Sequence, residues 1–208
     1  MQWYEEEVQR LALLPVVAAE RPKVVFYGSS TFTRWLGLGA DFPQVQAINL
    51  GFGGSTLAAC AWFFERVVPR QQPAALLVYA GDNDLGDGRT PEEVVLFFEQ
   101  LVAVSKAQLG SIPFCFVSIK PSPARLYLRD NIQYANACIR QRIAALGPPY
   151  YFLDLYPAML DGQGNPQRAL YEADGLHLSP AGYALWQHAI GQQLGRMGLL
   201  PSSLPEAS

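Results

Sequence analysis

The sequence is short of the groups that most often announce a chemistry: it has three cysteines and two histidines in 208 residues. Cys60, Cys115 and Cys138 lie far apart and are odd in number, which excludes a C-x-x-C metal pair and a disulfide framework. All three are expected to act as small buried hydrophobes, a use that suits a reducing, cytoplasmic setting. Charge is sparse as well, at 16% of residues and a formal net charge of −3. Lysines and arginines are scattered, so there is no electrostatic footprint for nucleic acid or anionic lipid. No run approaches the roughly 18 apolar residues that a membrane span needs. Leu11–Ala19 has the apolarity of a signal-peptide core, but Glu5, Glu6 and Glu7 precede it where such a peptide carries positive charge. A docking helix over about residues 2–19 is the expectation. The phosphate-cradling patterns G-x-G-x-x-G and G-x-x-x-x-G-K-[ST] are absent, as is the G-x-S-x-G nucleophile elbow. No metal or other cofactor is expected.

What is present is an ordered alternation. Half of the residues are hydrophobic, enough for one compact domain across residues 1–208. Short apolar runs at Val24–Tyr27, Val45–Ile48, Ala75–Tyr79, Phe114–Ser118 and Tyr150–Leu153 read as strands buried on both faces of a parallel sheet. Helical stretches lie between and after them, at about 56–68, 91–109, 123–146 and Pro180–Arg196. Thr90-Pro91-Glu92-Glu93 and Ser179-Pro180 carry helix-start signals. The pattern predicts a three-layer α/β/α domain around a parallel sheet of about five strands, of the flavodoxin-like type, with its core at about 23–196. The tail at about 199–208 lacks periodicity and is expected to be mobile at its end.

In an open α/β sheet, ligands bind beyond the carboxyl ends of the strands. The loops predicted there carry Gly28-Ser29-Ser30-Thr31, Asn49 to Thr56, Gly81-Asp82-Asn83-Asp84, Ser118 to Pro121 and Asp174-Gly175-Leu176-His177. A general base at neutral pH has two obvious candidates. His188 falls within the last helix and reads as a surface residue. His177 precedes a helix start, three residues after Asp174, a spacing that lets a carboxylate accept Nδ1–H and fix the tautomer. Ser29 and Ser30 follow the first strand, where a serine either serves as nucleophile or caps the next helix. Ser55 and Thr56 face the same choice, with Thr56 the expected cap. Gly51, Gly53 and Gly54 could offer backbone N–H groups to an oxyanion, and Asn83 a side-chain amide. Asp82 and Asp84 read as makers of loop hydrogen bonds, or as metal ligands beside a phosphate cradle at Gly51–Thr56. Phe52, Trp35 and Tyr79 belong either to a pocket or to the core.

Taken in order, four of these blocks resemble the SGNH (GDSL-type) esterases and lipases. Val25 to Ser30 is similar to the first block, with Ser30 at the nucleophile. Asn49 to Gly54 is similar to the second, with Gly54 at the oxyanion glycine. Gly81 to Asp84 places Asn83 at the oxyanion asparagine, and Asp174 to His177 matches the orienting acid and the base. The resemblance runs from about residue 23 to 190. One position departs: Ser29 stands where the family name has Asp, and that Asp is not the acid of the triad. The resemblance implies a serine esterase with Ser30, His177 and Asp174 as triad and Ser30 N–H, Gly54 and Asn83 as oxyanion hole. Its expected partner is a small-molecule ester, with short acyl groups favoured, such as acetyl on a carbohydrate or another small alcohol. The family also includes lysophospholipases and thioesterases, and a non-catalytic binding module on the same fold is the remaining alternative. Acyl length, alcohol and oligomeric state stay open.

Overall fold

The computed structural model describes residues 1–16, 18 and 20–200. The tail expected to be mobile lies outside the described residues from position 201 on. Five strands, β1 (Lys23–Gly28), β2 (Gln46–Gly51), β3 (Ala75–Tyr79), β4 (Phe114–Val117) and β5 (Tyr150–Leu153), pair in parallel in the order β2-β1-β3-β4-β5. Helices cover both faces and make a three-layer α/β/α domain. One face carries α1 (Glu5–Ala12), α4 (Leu57–Val67), α6 (Pro91–Leu109) and α7 (Arg129–Leu146), and the other carries α2 (Ser30–Thr33), α3 (Leu38–Asp41) and α8 (Pro180–Arg196).

Strand alternation builds the two cores. Val25, Tyr27, Leu76, Val78, Phe114 and Phe116 point into the first, while Val24, Phe26, Leu77, Tyr79, Cys115 and Val117 point into the second. Because both faces of the sheet are covered, the inner strands β1, β3 and β4 read as continuous apolar runs with no alternation of polarity. The order reverses direction between β1 and β3, which opens a crevice at their carboxyl ends. Gly28 ends β1 there, so close to β3 that a Cβ would lie 2.0 Å from the Tyr79 carbonyl oxygen. Only glycine lets the chain turn at that point.

Several predicted boundaries shift. The second strand is Gln46–Gly51 and not Val45–Ile48, because pairing with β1 extends through Asn49, Leu50 and Gly51. The stretch 123–146 is broken: Pro123–Leu128 is a 3₁₀ segment, Arg125 leaves helical geometry at φ −120° and ψ 29°, and α7 begins at Arg129. The N-terminal helix is shorter than 2–19. A 3₁₀ turn at Gln2–Tyr4 leads into α1, which is over before Pro15 can enter it. It docks as expected, burying Tyr4, Val8 and Leu11 beside Phe63 of α4. The helix expected to start at Ser29 or Ser30 is α2, a single turn, and two further short helices, α3 and α5 (Asp82–Gly86), were not foreseen. Cys60 and Cys115 are buried, but Cys138 is only half-buried on α7, facing a groove against α6. Among the described residues no helix is long and apolar enough to cross a membrane.

Candidate active site

Ser30 stands at the crevice between β1 and β3. Of the two serines after β1, Ser29 takes the capping role, with its side chain accepting from the Thr31 N–H. That leaves Ser30 as the first residue of α2, its Oγ 3.3 Å from His177 Nε2. His177 comes from the loop after β5, 147 positions away in the chain. The loop is fixed by Tyr171 pairing with Leu178, by the Glu172 N–H donating to the His177 carbonyl, and by the Tyr183 hydroxyl of α8 donating to the Thr31 carbonyl.

The D-x-x-H turn closes on itself. Asp174 Oδ1 accepts from the N–H groups of Leu176 and His177 at 2.9 and 3.0 Å, and Oδ2 faces His177 Nδ1 at 2.6 Å. The hydrogen bond from His177 and the two backbone donors hold the Asp174 carboxyl well below the usual carboxylate range. A carboxylate accepts only, so Nδ1 carries the proton and Nε2 presents its lone pair to Ser30. An imidazole, a carboxylate and a hydroxyl thus lie in one chain of contacts. His188 is exposed on α8 and bonded to Gln192.

The donors can be sorted by their partners. The Gly51 N–H is taken by Asn49 Oδ1 at 3.0 Å and the Gly53 N–H by Glu7 Oε2 at 2.7 Å. Both therefore drop out as oxyanion donors. The Gly54 and Ser30 N–H groups meet no acceptor among the described residues. Gly54 is exposed at φ +66°, and its carbonyl accepts from the Tyr4 hydroxyl at 2.9 Å. Asn83 sits in the first turn of α5, donating from Nδ2 to the Ser55 carbonyl at 3.1 Å. Thr56 caps α4 through the Ala59 N–H.

Each neighbouring carboxylate is engaged by hydrogen bonds through Oδ2, while its buried Oδ1 has no hydrogen-bond partner among the described residues. Burial alone would raise Asp82, but Lys120 and Arg125 beside it hold its carboxyl below the ordinary value. Asp84 accepts the Leu57 N–H at 2.8 Å, and burial pushes it up to about 6. Phe52, Trp35 and Tyr79 are buried core residues. Sequence reasoning placed Lys120 on the rim, between an apolar strand and Pro121, without giving it a role, and it missed Tyr4, Glu7 and Arg125.

The sequence profile of the GDSL-like Lipase/Acylhydrolase family matches residues 19–185. The chain belongs to that family. It is accordingly an ester-hydrolysing enzyme. No functionally curated protein matches the sequence. Solved structures of similar fold include a GDSL-like lipase from Bacteroides thetaiotaomicron, at 22% identity and TM-score 0.73, with 93% of this chain and 97% of that one covered. A Bacteroides fragilis protein proposed to be an acylhydrolase aligns at 23% identity and TM-score 0.78, covering 94% and 96%. A carbohydrate esterase family 3 structure from Talaromyces cellulolyticus aligns at 14% identity and TM-score 0.70, covering 85% and 97%. Across this GDSL-like lipase/acylhydrolase, the match takes in Ser30, Gly54, Asn83, Asp174 and His177.

Proposed function

We propose that the chain is a serine esterase of short-chain carboxylic esters, with Ser30 as nucleophile, His177 as general base and Asp174 as the acid that orients it. The observation that carries this reading is the contact chain Ser30 Oγ–His177 Nε2, His177 Nδ1–Asp174 Oδ2 at the crevice between β1 and β3. His177 takes the Ser30 proton as Oγ attacks the ester carbonyl. The oxyanion is held by the N–H groups of Ser30 and Gly54 and by the Asn83 amide. His177 then protonates the departing alcohol, leaving an acyl-serine. Water, activated by the same imidazole, attacks that acyl group, and the acid leaves with Ser30 restored. The Ser30–His177 spacing of 3.3 Å is at the long end of a hydrogen bond, as apo sites often are before substrate tightens them.

Short acyl groups are favoured because the rim near Ser30 is tied down: the Gly53 N–H to Glu7, the Gly54 carbonyl to the Tyr4 hydroxyl and the Asn83 side chain to Arg125. An acetyl ester of a carbohydrate or another small alcohol fits that rim, and the Talaromyces relative of this fold is a carbohydrate esterase. A cytoplasmic setting belongs to the same proposal, since Cys60, Cys115 and Cys138 are all free thiols. The test is the initial rate on p-nitrophenyl acetate, wild type against Ser30→Ala. Loss of kcat on the order of 10⁶ is expected. Equal rates in the two proteins would remove Ser30 as nucleophile.

A further inference from the structure

We infer that Arg125 is a positioning residue that fixes the orientation of the Asn83 amide in the oxyanion hole. The inference rests on the esterase reading above and extends it to a residue outside the triad and the donor set. A carboxamide has two ends of nearly equal shape, and only one of them helps catalysis. With Nδ2 toward the developing oxyanion it donates; reversed, it would present a carbonyl oxygen to a negative charge. Something must therefore hold the correct end in place.

Arg125 has donors and no acceptor, so the atom facing it has to be Oδ1. Its Nη2 donates to Asn83 Oδ1 at 2.8 Å. On the other side Nδ2 gives one hydrogen to the Ser55 carbonyl at 3.1 Å. The second Nδ2 hydrogen is left for substrate. The contact from Arg125 is charge-assisted, and it draws electron density from the amide, which strengthens the donor at the far end.

The guanidinium is itself held. Nη1 lies 3.0 Å from Asp82 Oδ2, an ion pair without hydrogen-bond alignment, and Lys120 Nζ reaches the same oxygen at 3.1 Å. Two cations on one carboxylate leave a net positive charge behind Asn83. Gly86 makes room, since a Cβ there would lie 3.0 Å from the guanidinium carbon. The segment carrying Arg125 also reaches the other half of the site. The Ala124 N–H donates to the Gly175 carbonyl at 3.1 Å, between Asp174 and His177, and the Tyr171 hydroxyl donates to the Pro121 carbonyl.

The experiment is a double-mutant cycle on p-nitrophenyl acetate with Arg125→Met and Asn83→Ala, separately and together, alongside Arg125→Lys. Arg125→Met is expected to lower kcat about tenfold or more, with KM changed by no more than about twofold, because the contact acts on the transition state. In the Asn83→Ala background the same change should have no further effect, since the group it orients is gone. Arg125→Lys keeps the charge beside Asp82 but loses the forked geometry, and should fall between wild type and Arg125→Met. If Arg125→Met fails to fold, Arg125→Lys carries the same cycle. Unchanged kcat in a folded Arg125 variant, or an equal fold-loss with and without Asn83, overturns the inference while the esterase reading stands. Full activity in Asn83→Ala overturns the oxyanion assignment beneath it.

Discussion

Ser29 and Ser30 are adjacent and chemically identical, yet they meet different partners because one backbone turn separates their directions. Ser29 Oγ turns back to the Thr31 N–H, and Ser30 Oγ turns outward to His177. The sequence alone left that choice open, and the block resemblance decided it. The glycines tell the opposite story, because their partners sort them: Asn49 and Glu7 occupy two N–H groups and leave Gly54. Asn49 sits two residues before Gly51 in the same block, whereas Glu7 was not legible, since it arrives from 46 positions away. Asn83 is the donor whose role a side-chain substitution can probe directly. Asn83→Ala should lower kcat by about 10²–10³ with a smaller effect on KM. Steady-state kinetics on p-nitrophenyl acetate measure this, and a wild-type kcat would exclude Asn83 from the oxyanion hole.

Secondary elements were most legible where burial dictates composition. β3 is predicted and found at Ala75–Tyr79 because a central strand covered on both faces can carry little but apolar residues. α6 was equally plain, with Thr90 and Glu93 forming a capping box around Pro91 at the first helical position. The four-residue helices α2 and α3 are too short to show a period, so α3 reads as loop and α2 is signalled only by its capping serine. The break at Arg125 was hidden too, because the apolar spacing continues across it. α1 was foreseen as a docking helix, but its reach to the site was not. The Tyr4 hydroxyl, just ahead of α1, binds the Gly54 carbonyl, and Glu7 within it binds the Gly53 N–H, so this end of the chain braces the loop after β2 that carries the proposed oxyanion donor. Removing both contacts in Tyr4→Phe/Glu7→Ala should cost on the order of 1–3 kcal/mol of stability, since Gly53 loses its acceptor. A fall in kcat of several-fold should accompany it, as the Gly54 donor loosens. Glu7→Gln, which keeps an acceptor, should do less. Thermal melts and kcat together decide it: a double variant with wild-type kcat would make α1 a structural helix only.

At the scale of the whole molecule, the strand order 2-1-3-4-5 brings the first and last chemical blocks of the sequence into contact, and it also sets how the fold responds to pH. The crevice between β1 and β3 gathers two aspartates within three residues, and their surroundings push them in opposite directions. Asp82 is held down by Lys120 and Arg125 despite its burial, so its contribution is present at neutral pH and is lost as pH falls into the acid range. Asp84 is pushed by burial from an ordinary 3.8 up to about 6, and Arg89, 3.7 Å away, offsets only part of the effect. Between about pH 4 and pH 6 the folded state therefore holds a proton on Asp84 that the unfolded chain has released. The sign follows: this group's contribution declines as pH rises through that window and is constant above it. Asp84→Asn keeps an acceptor for the Leu57 N–H but cannot ionise, so it should lack the decline. The stability of Asp84→Asn relative to wild type should then rise between pH 4 and pH 7 by on the order of 2–3 kcal/mol. Urea denaturation of both proteins across that range reads the difference directly. A difference that stays flat with pH would mean that Asp84 is ionised throughout, with Arg89 and the end of α4 fully compensating its burial.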